Sequence, residues 1–257
     1  MCTLVLLRRP GHDWPLLLGA NRDEMLDRSW TPPGRHWPDR PEVMAGRDDL
    51  AGGSWLGVND HGVVAAILNR TGSLGPLAGK RSRGELVLDA LDYADAVDAA
   101  AALAVLDAEA YRPFNLVVAD DRDAFWLAHR GRGPIAVTPI PDGLSMLTAR
   151  ELDDETSPRI RRYRPRFTNA AAPDPARDDW RSWQELLGES EPEAGLGPES
   201  AMRFAIDAGT ARFGTMSSSL IAVPPAGISK HPIWLFARVD AESPSAAPRW
   251  APIAGLE

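Results

Sequence analysis

The chain has 257 residues, 44% hydrophobic and 25% charged, the balance of a folded protein with a sizeable core. Its net charge of −8 excludes a general nucleic-acid or membrane-surface role, because binding phosphates requires clustered positive charge. Its single cysteine excludes an internal disulfide, no basic region precedes the short apolar run at the start, and no apolar segment of about 18 residues follows; the expectation is a cytoplasmic protein without membrane insertion.

In chain order, residues 2–7 read as a strand. Arg8 to Asp13 form a turn around Pro10 and Gly11, and residues 15–20 form the return strand. Pairing Leu4–Leu7 with Pro15–Leu18 sets Cys2 opposite Ala20 or Asn21. Residues 22–53, rich in Pro, Asp, Arg and Gly, read as a long loop, and loops of that length in compact proteins are usually functional. A second hairpin covers 54–68, turning at Asn59-Asp60-His61-Gly62. Ser82 and Glu85 have the spacing of a capping box opening a helix through Leu91, and an alanine-rich helix is expected over 93–106. Residues 114–119 and 124–129 make a third hairpin, 134–139 and 144–148 weaker strands. Helices are expected over 157–167, 178–187 and 198–208, and closing strands over 217–223 and 233–238. Hairpins alternate with helix pairs, the pattern of an α+β protein with two antiparallel sheets covered by helices. No repeat or clear linker divides residues 1–257, so one domain is expected.

Chemistry concentrates in three places. Cys2 follows the initiator methionine, and removal of Met1 would put a thiol and a free α-amine on one residue. The amine, with a reference pKa of about 7.7–8.0, can take the proton of its own thiol. The structural alternative is a cysteine that fills space at the start of a strand. Asn21-Arg22-Asp23-Glu24 ends the apolar second strand close to Cys2. A carboxylate there would orient the amine, and a guanidinium would favour the thiolate; the alternative is a solvated strand end. Asn69 also ends an apolar strand, where its amide could donate to an oxyanion or simply close a turn. Nine tryptophans, four of them within the first 55 residues, are cleft or core material. The histidines at 12, 36, 61, 129 and 231 lack metal-ligand spacing, and no nucleotide-binding fingerprint or nucleophile elbow is present. The basic run from Arg159 to Arg166 reads as a solvated helix face or a grip for an anion.

Met1-Cys2-Thr3, Asn21-Arg22-Asp23-Glu24, Ala45-Gly46-Arg47-Asp48, the 53–59 stretch GSWLGVN, Asn69, Ser82-Arg83-Gly84-Glu85-Leu86 and Pro113-Phe114-Asn115-Leu116 together resemble the NRDE family. That family includes the transport and Golgi organisation protein two of eukaryotes. The match is dense over residues 1–120 and looser beyond, with an echo at Phe213-Gly214-Thr215. The resemblance implies the four-layer αββα sandwich of N-terminal-nucleophile hydrolases, whose cysteine members resemble bile-salt hydrolases and penicillin V acylases. It implies Cys2 as nucleophile, Asp23 as orienter of its amine and Asn69 as oxyanion donor.

The chain departs from the acylase pattern. Ala20 stands where the acylases carry an arginine, with Arg22 a candidate substitute. Ala149 lies where a Ser-Asn pair is common, and Met216 where an arginine often follows Gly-Thr. The functional expectation is hydrolysis of a linear amide C–N bond of a small molecule by Cys2, Arg22, Asp23 and Asn69, with Asn21, Glu24 and Trp55 lining the ligand. No metal or cofactor is required. The rival is a non-catalytic carrier of haem or an acyl lipid, because eukaryotic members of the family are implicated in haem trafficking and lipid homeostasis. The sequence leaves the oligomeric state open.

Overall fold

The computed structural model describes residues 2–209, 211–240 and 246–256. Its strands are β1 (Thr3–Arg8), β2 (Leu16–Met25), β3 (Trp30–Gly34), β4 (Val43–Asp48), β5 (Leu56–Asn59), β6 (Val64–Asn69), β7 (Phe114–Ala119), β8 (Ala124–His129), β9 (Ala136–Pro139), β10 (Gly143–Leu147), β11 (Ala205–Ala208), β12 (Ala211–Val223), β13 (Ile233–Arg238) and β14 (Ala251–Pro252). The helices are α1 (Glu85–Leu91), α2 (Ala96–Ala104), α3 (Pro158–Asn169) and α4 (Arg181–Gly188). The described strands form two seven-stranded antiparallel sheets. One runs β10-β1-β2-β12-β13-β14, with β11 on the near end of β12; the other runs β3 to β9 in sequence order.

Period-two side-chain direction explains the layers. Along β1 and β2, Leu4, Leu6, Leu16 and Leu18 face the other sheet, while Val5 and Leu17 face α3 and α4. On the second sheet Val64, Ala66 and Val117 meet the first sheet, while Ala65, Leu116 and Val118 lie under α1 and α2. Both faces of each sheet are thus covered, which is why these strands read as unbroken apolar runs. The architecture is the αββα sandwich that the resemblance implied.

Several local expectations need correcting. Residues 22–53 are not one loop: β2 runs on to Met25, and β3 and β4 form the edge of the second sheet. Pro32 and Pro33 hide β3 from a propensity reading, yet an edge strand tolerates them because outward N–H groups need no partner. The opening hairpin pairs Arg8 with Leu16 and Thr3 with Asn21, two residues beyond the expected register, since Pro15 stays outside the ladder. A two-residue shift keeps every side chain on its face. The capping box does not form: Gly84 caps α1 without a side-chain bond, and Ser82 Oγ accepts only from Gly84 N–H. Residues 198–208 are not a helix but a short 3₁₀ turn followed by β11. Among the described residues no helix is long and apolar enough to cross a membrane.

Candidate functional site

The register of the first hairpin decides the site. With Thr3 opposite Asn21, Cys2 falls beside Arg22 and Asp23. The Asp23 N–H donates to Cys2 Sγ at 3.3 Å, and the thiol in turn reaches the Asp23 carbonyl at 3.3 Å. Pleating divides the polar tetrapeptide between two faces. Cys2 and Arg22 point into the space between the sheets, where Cys2 packs on the apolar core and the Arg22 guanidinium lies 4.3 Å over the Trp55 ring. Asn21 and Asp23 point toward the helices.

On that helix side Asp23 is clamped. Arg159 Nη1 donates to Asp23 Oδ2 at 3.0 Å and to Thr3 Oγ1 at 2.7 Å, and Thr215 Oγ1 donates to Asp23 Oδ1 at 2.7 Å. Arg159 and Asp23 are both fully buried. Arg159 therefore leaves the solvated face expected of the 159–166 run. It lies in the first turn of α3, on the buried face it shares with Ile160, Tyr163 and Phe167. The Asn21 amide donates to the carbonyls of Leu187 and Met202, tying β2 to the helical layer.

Cys2, Arg22, Asp23, Glu24, Trp55 and Asn69 line one cleft of about 260 Å³. Asn69 closes β6 on the opposite sheet, and its side-chain amide makes no hydrogen bond with any described residue, so it is available to a ligand. Arg28, Asp48, Arg83 and Arg112 line the same cleft; none is a site residue in the sequence reading, although Asp48 and Arg83 stand in two of the motifs that carry the family resemblance. Asp48 holds Arg28 at 2.7 Å and stands 4.0 Å from Arg22.

The glycines of the sequence motifs have steric reasons. A Cβ on Gly46 would sit 2.3 Å from the Trp55 ring, so only glycine lets that indole lie flat on β4. A Cβ on Gly53 would come within 2.5 Å of the Gly84 backbone, where Ser54 N–H donates to Gly84 carbonyl at 2.9 Å. The two motif glycines thus let the 53–54 segment cross the start of α1 and set Arg83 at the cleft.

The three departures fall apart in space. Ala20 lies on the same face of β2 as Arg22, one pleat deeper in the core. Met216 occupies a bulge in β12, and its Sδ accepts from Arg22 Nη1 at 3.2 Å. Ala149 is buried away from the cleft, its carbonyl accepting from Thr71 N–H.

Burial, then the charge of Asp23, pushes the Cys2 thiol up; the Asp23 N–H bond opposes this. Burial pulls Arg22 down, and burial together with the neighbouring charge of Arg112 pulls Arg83 down to about 10. Among the described residues no cluster of His, Cys, Asp and Glu is arranged to hold a metal, and no histidine lines the cleft.

Residues 1–228 match the family described as Transport and Golgi organisation 2. The chain is 33% identical to the Transport and Golgi organization protein 2 homolog of Bos taurus over 151 residues, 51% of this chain and 50% of that one. It is 33% identical to the homolog of Homo sapiens over 148 residues, with the same coverage. The match thus spans about half the length of these curated relatives. Among solved structures, an N-acylethanolamine-hydrolyzing acid amidase ortholog of Caenorhabditis elegans superposes with a TM-score of 0.56 at 14% identity, over 86% of this chain and 92% of that one. The C2A mutant of the conjugated bile acid hydrolase of Clostridium perfringens superposes with a TM-score of 0.51 at 12% identity, over 99% and 97%. At these identities the likeness concerns the fold, which is that of the N-terminal-nucleophile hydrolases. By sequence the chain belongs to the Transport and Golgi organisation 2 family, the family of the NRDE motif carried here by Asn21-Arg22-Asp23-Glu24.

Proposed function

We propose that the chain hydrolyses a linear amide C–N bond of a small molecule, with Cys2 as the nucleophile once Met1 is removed. The observation that carries this reading is the meeting of Cys2, Asp23 and the unengaged amide of Asn69 at one cleft. Met1 itself lies outside the described residues. In the proposed reaction Cys2 Sγ attacks the amide carbon while its proton passes to the Cys2 amine. The amine then protonates the leaving nitrogen as the C–N bond breaks. Water attacks the thioester, releasing the acid and restoring the thiol. Asp23, held by Arg159 and Thr215, orients the amine; Asn69 donates to the developing oxyanion. Arg22 supports the thiolate from the same face as Cys2.

The structural neighbours support the chemistry by analogy of fold, one being an N-acylethanolamine-hydrolyzing acid amidase and the other a conjugated bile acid hydrolase. The test is intact mass, followed by turnover. Protein from its native host should lack methionine, bind one equivalent of iodoacetamide at Cys2, and cleave a member of an N-acyl amide panel that Cys2→Ala leaves intact. Full retention of Met1 overturns the mechanism.

A second reading, a non-catalytic carrier of an acyl lipid or haem, draws on one observation. Burial and Asp23 favour the neutral thiol, which works against a nucleophile. For haem the residues fit poorly: a hydrogen-bonded, partly buried thiol held neutral is a weak iron ligand, and the cleft lining offers no imidazole. Stoichiometric ligand binding without turnover by either wild type or Cys2→Ala would favour the carrier.

A further inference from the structure

The chain as a whole is acidic, yet the cleft beside Cys2 gathers Arg22, whose ion pair with Asp48 is long at 4.0 Å, with Arg83 and Arg112, which have none among the described residues. Arg22 is 5% exposed and packs on Trp55. Its hydrogen bond goes to Met216 Sδ, and the carboxylate within reach, Asp48, is closer to Arg28. Every hydrogen bond of Arg83 runs through Nη1, to Ser73 and to the Pro113 carbonyl, so Nε and Nη2 have no partner among the described residues. Arg112 is held by carbonyls of the 72–76 loop, Nη1 by Leu74 and Gly75, Nη2 by Gly72. Neither Arg83 nor Arg112 forms an ion pair with a described residue.

A buried arginine elsewhere in the chain is treated differently: Arg159 has Asp23 against it. Two like charges held side by side by neutral carbonyls repel each other, and burial adds to the strain. Both causes are visible in the lowered Arg83. Glu24 and Asp48 offset part of the charge, but Asp48 is engaged by Arg28. The excess is positive and waits for an anion. The Arg83 guanidinium, with its Nε–Nη2 edge free of described partners, suits planar or tetrahedral oxyanions, and Arg112 adds its charge beside it. Beside this corner the wall is apolar, formed by Trp55, Ile67, Pro76 and Leu77. Leu50, Leu74 and Leu77 are exposed at 69%, 41% and 53%, close to the cleft in the chain.

The geometry points to an anionic acyl amide as the substrate: a carboxylate, sulfonate or phosphate on Arg22, Arg83 and Arg112, an acyl body along Trp55, Ile67 and Leu77, and the amide carbonyl at Cys2. This rests on the hydrolase reading only in naming the amide; the anion site stands on the arginines.

The test measures binding apart from turnover. Calorimetric titrations of the Cys2→Ala protein use N-octanoyl amides that differ only in the amine: glycine, taurine, phosphoethanolamine and, as the neutral control, ethanolamine. At least one anion should bind about tenfold or more tighter than the control, since charge-assisted bonds in a partly buried site are the strong ones. The three anionic arms identify which group the site takes. Arg83→Gln and Arg112→Gln, each added separately, should shrink that preference several-fold without weakening the neutral amide; Arg83→Lys, which keeps the charge, should retain part of it. Thermal melts check that each variant folds. Equal affinity for neutral and anionic amides overturns the proposal, as does an absence of binding by all four or a preference untouched in both glutamine variants. Turnover of neutral amides by wild type without anion preference would sink the anion site and spare the hydrolase. Anion binding by Cys2→Ala with no turnover by wild type would do the reverse.

Discussion

The Cys2 sulfur stands between opposing influences whose balance is measurable. Burial and the Asp23 carboxylate disfavour the thiolate, while the Asp23 N–H favours it. Sγ meets Asp23 through main-chain atoms, whereas the carboxylate lies on the helix side with Arg159. The carboxylate thus acts on the sulfur through its field and not through contact. The sign follows: Asp23→Asn removes a negative charge, stabilises the thiolate and lowers the thiol pKa. The rate of iodoacetamide alkylation at pH 8 should rise, roughly threefold or more, and the midpoint of its pH profile should move down. A midpoint that stays or climbs would show that Asp23 does not govern this thiol. Any hydrolysis should fall in the same variant, because asparagine cannot hold an ammonium as a carboxylate does. Faster alkylation with slower turnover separates orientation of the amine from activation of the sulfur.

At the scale of elements, the Arg159–Asp23 pair ties α3 to the strand end that carries the site. Both groups are buried, so removing one strands the other. Arg159→Met should lower unfolding free energy by about 3–5 kcal/mol in urea titrations. Adding Asp23→Asn to that variant should recover much of the loss; purely additive losses would mean the pair is not coupled. A second joint is the crossing of residues 53–54 over the start of α1. Gly53→Ala should cost about 1–3 kcal/mol, since the offending atoms are backbone and cannot rotate away; a neutral result would mean the crossing is loose. These joints also mark what the sequence made legible. Hairpins such as β5–β6 and β7–β8 announce themselves through local alternation and turn residues, and Cys2 meets Asp23 because the first hairpin is local. Arg159, Thr215, Arg83 and Arg112 are held by bonds that span 30 to 192 positions of chain, and no local pattern encodes that. The edge strand β3 was hidden by its prolines, and β11 by a helix-compatible composition whose neighbour, β12, overrode propensity through pairing.

For the whole molecule, the cleft exists only while the two sheets are packed. Cys2, Arg22 and Asp23 come from one sheet, Trp55 and Asn69 from the other, and Arg83 and Arg112 from the start of α1 and the approach to β7. The interface joining them is the continuous apolar layer that includes Leu4, Leu18, Leu56, Leu68, Val117 and Ile221. Such a layer has no plane along which the chain could open without exposing the core of both halves. Unfolding should therefore be one cooperative event, as expected of one domain. The change in Cys2 alkylation rate on unfolding, far-ultraviolet circular dichroism and tryptophan fluorescence should share one urea midpoint. Leu68→Ala, a cavity at the centre of that layer, should lower all three midpoints together, by the equivalent of about 2–5 kcal/mol. Its effect on ligand affinity well below the midpoint should be small, because Leu68 faces the core one residue before Asn69 and lies outside the cation-lined cleft. If the Cys2 alkylation rate changed at lower urea than the loss of circular dichroism, the strand end carrying the site would open on its own. The clamp of Arg159 and Thr215 on Asp23 would then be a local latch, and the two-sheet core would not be what holds the site together.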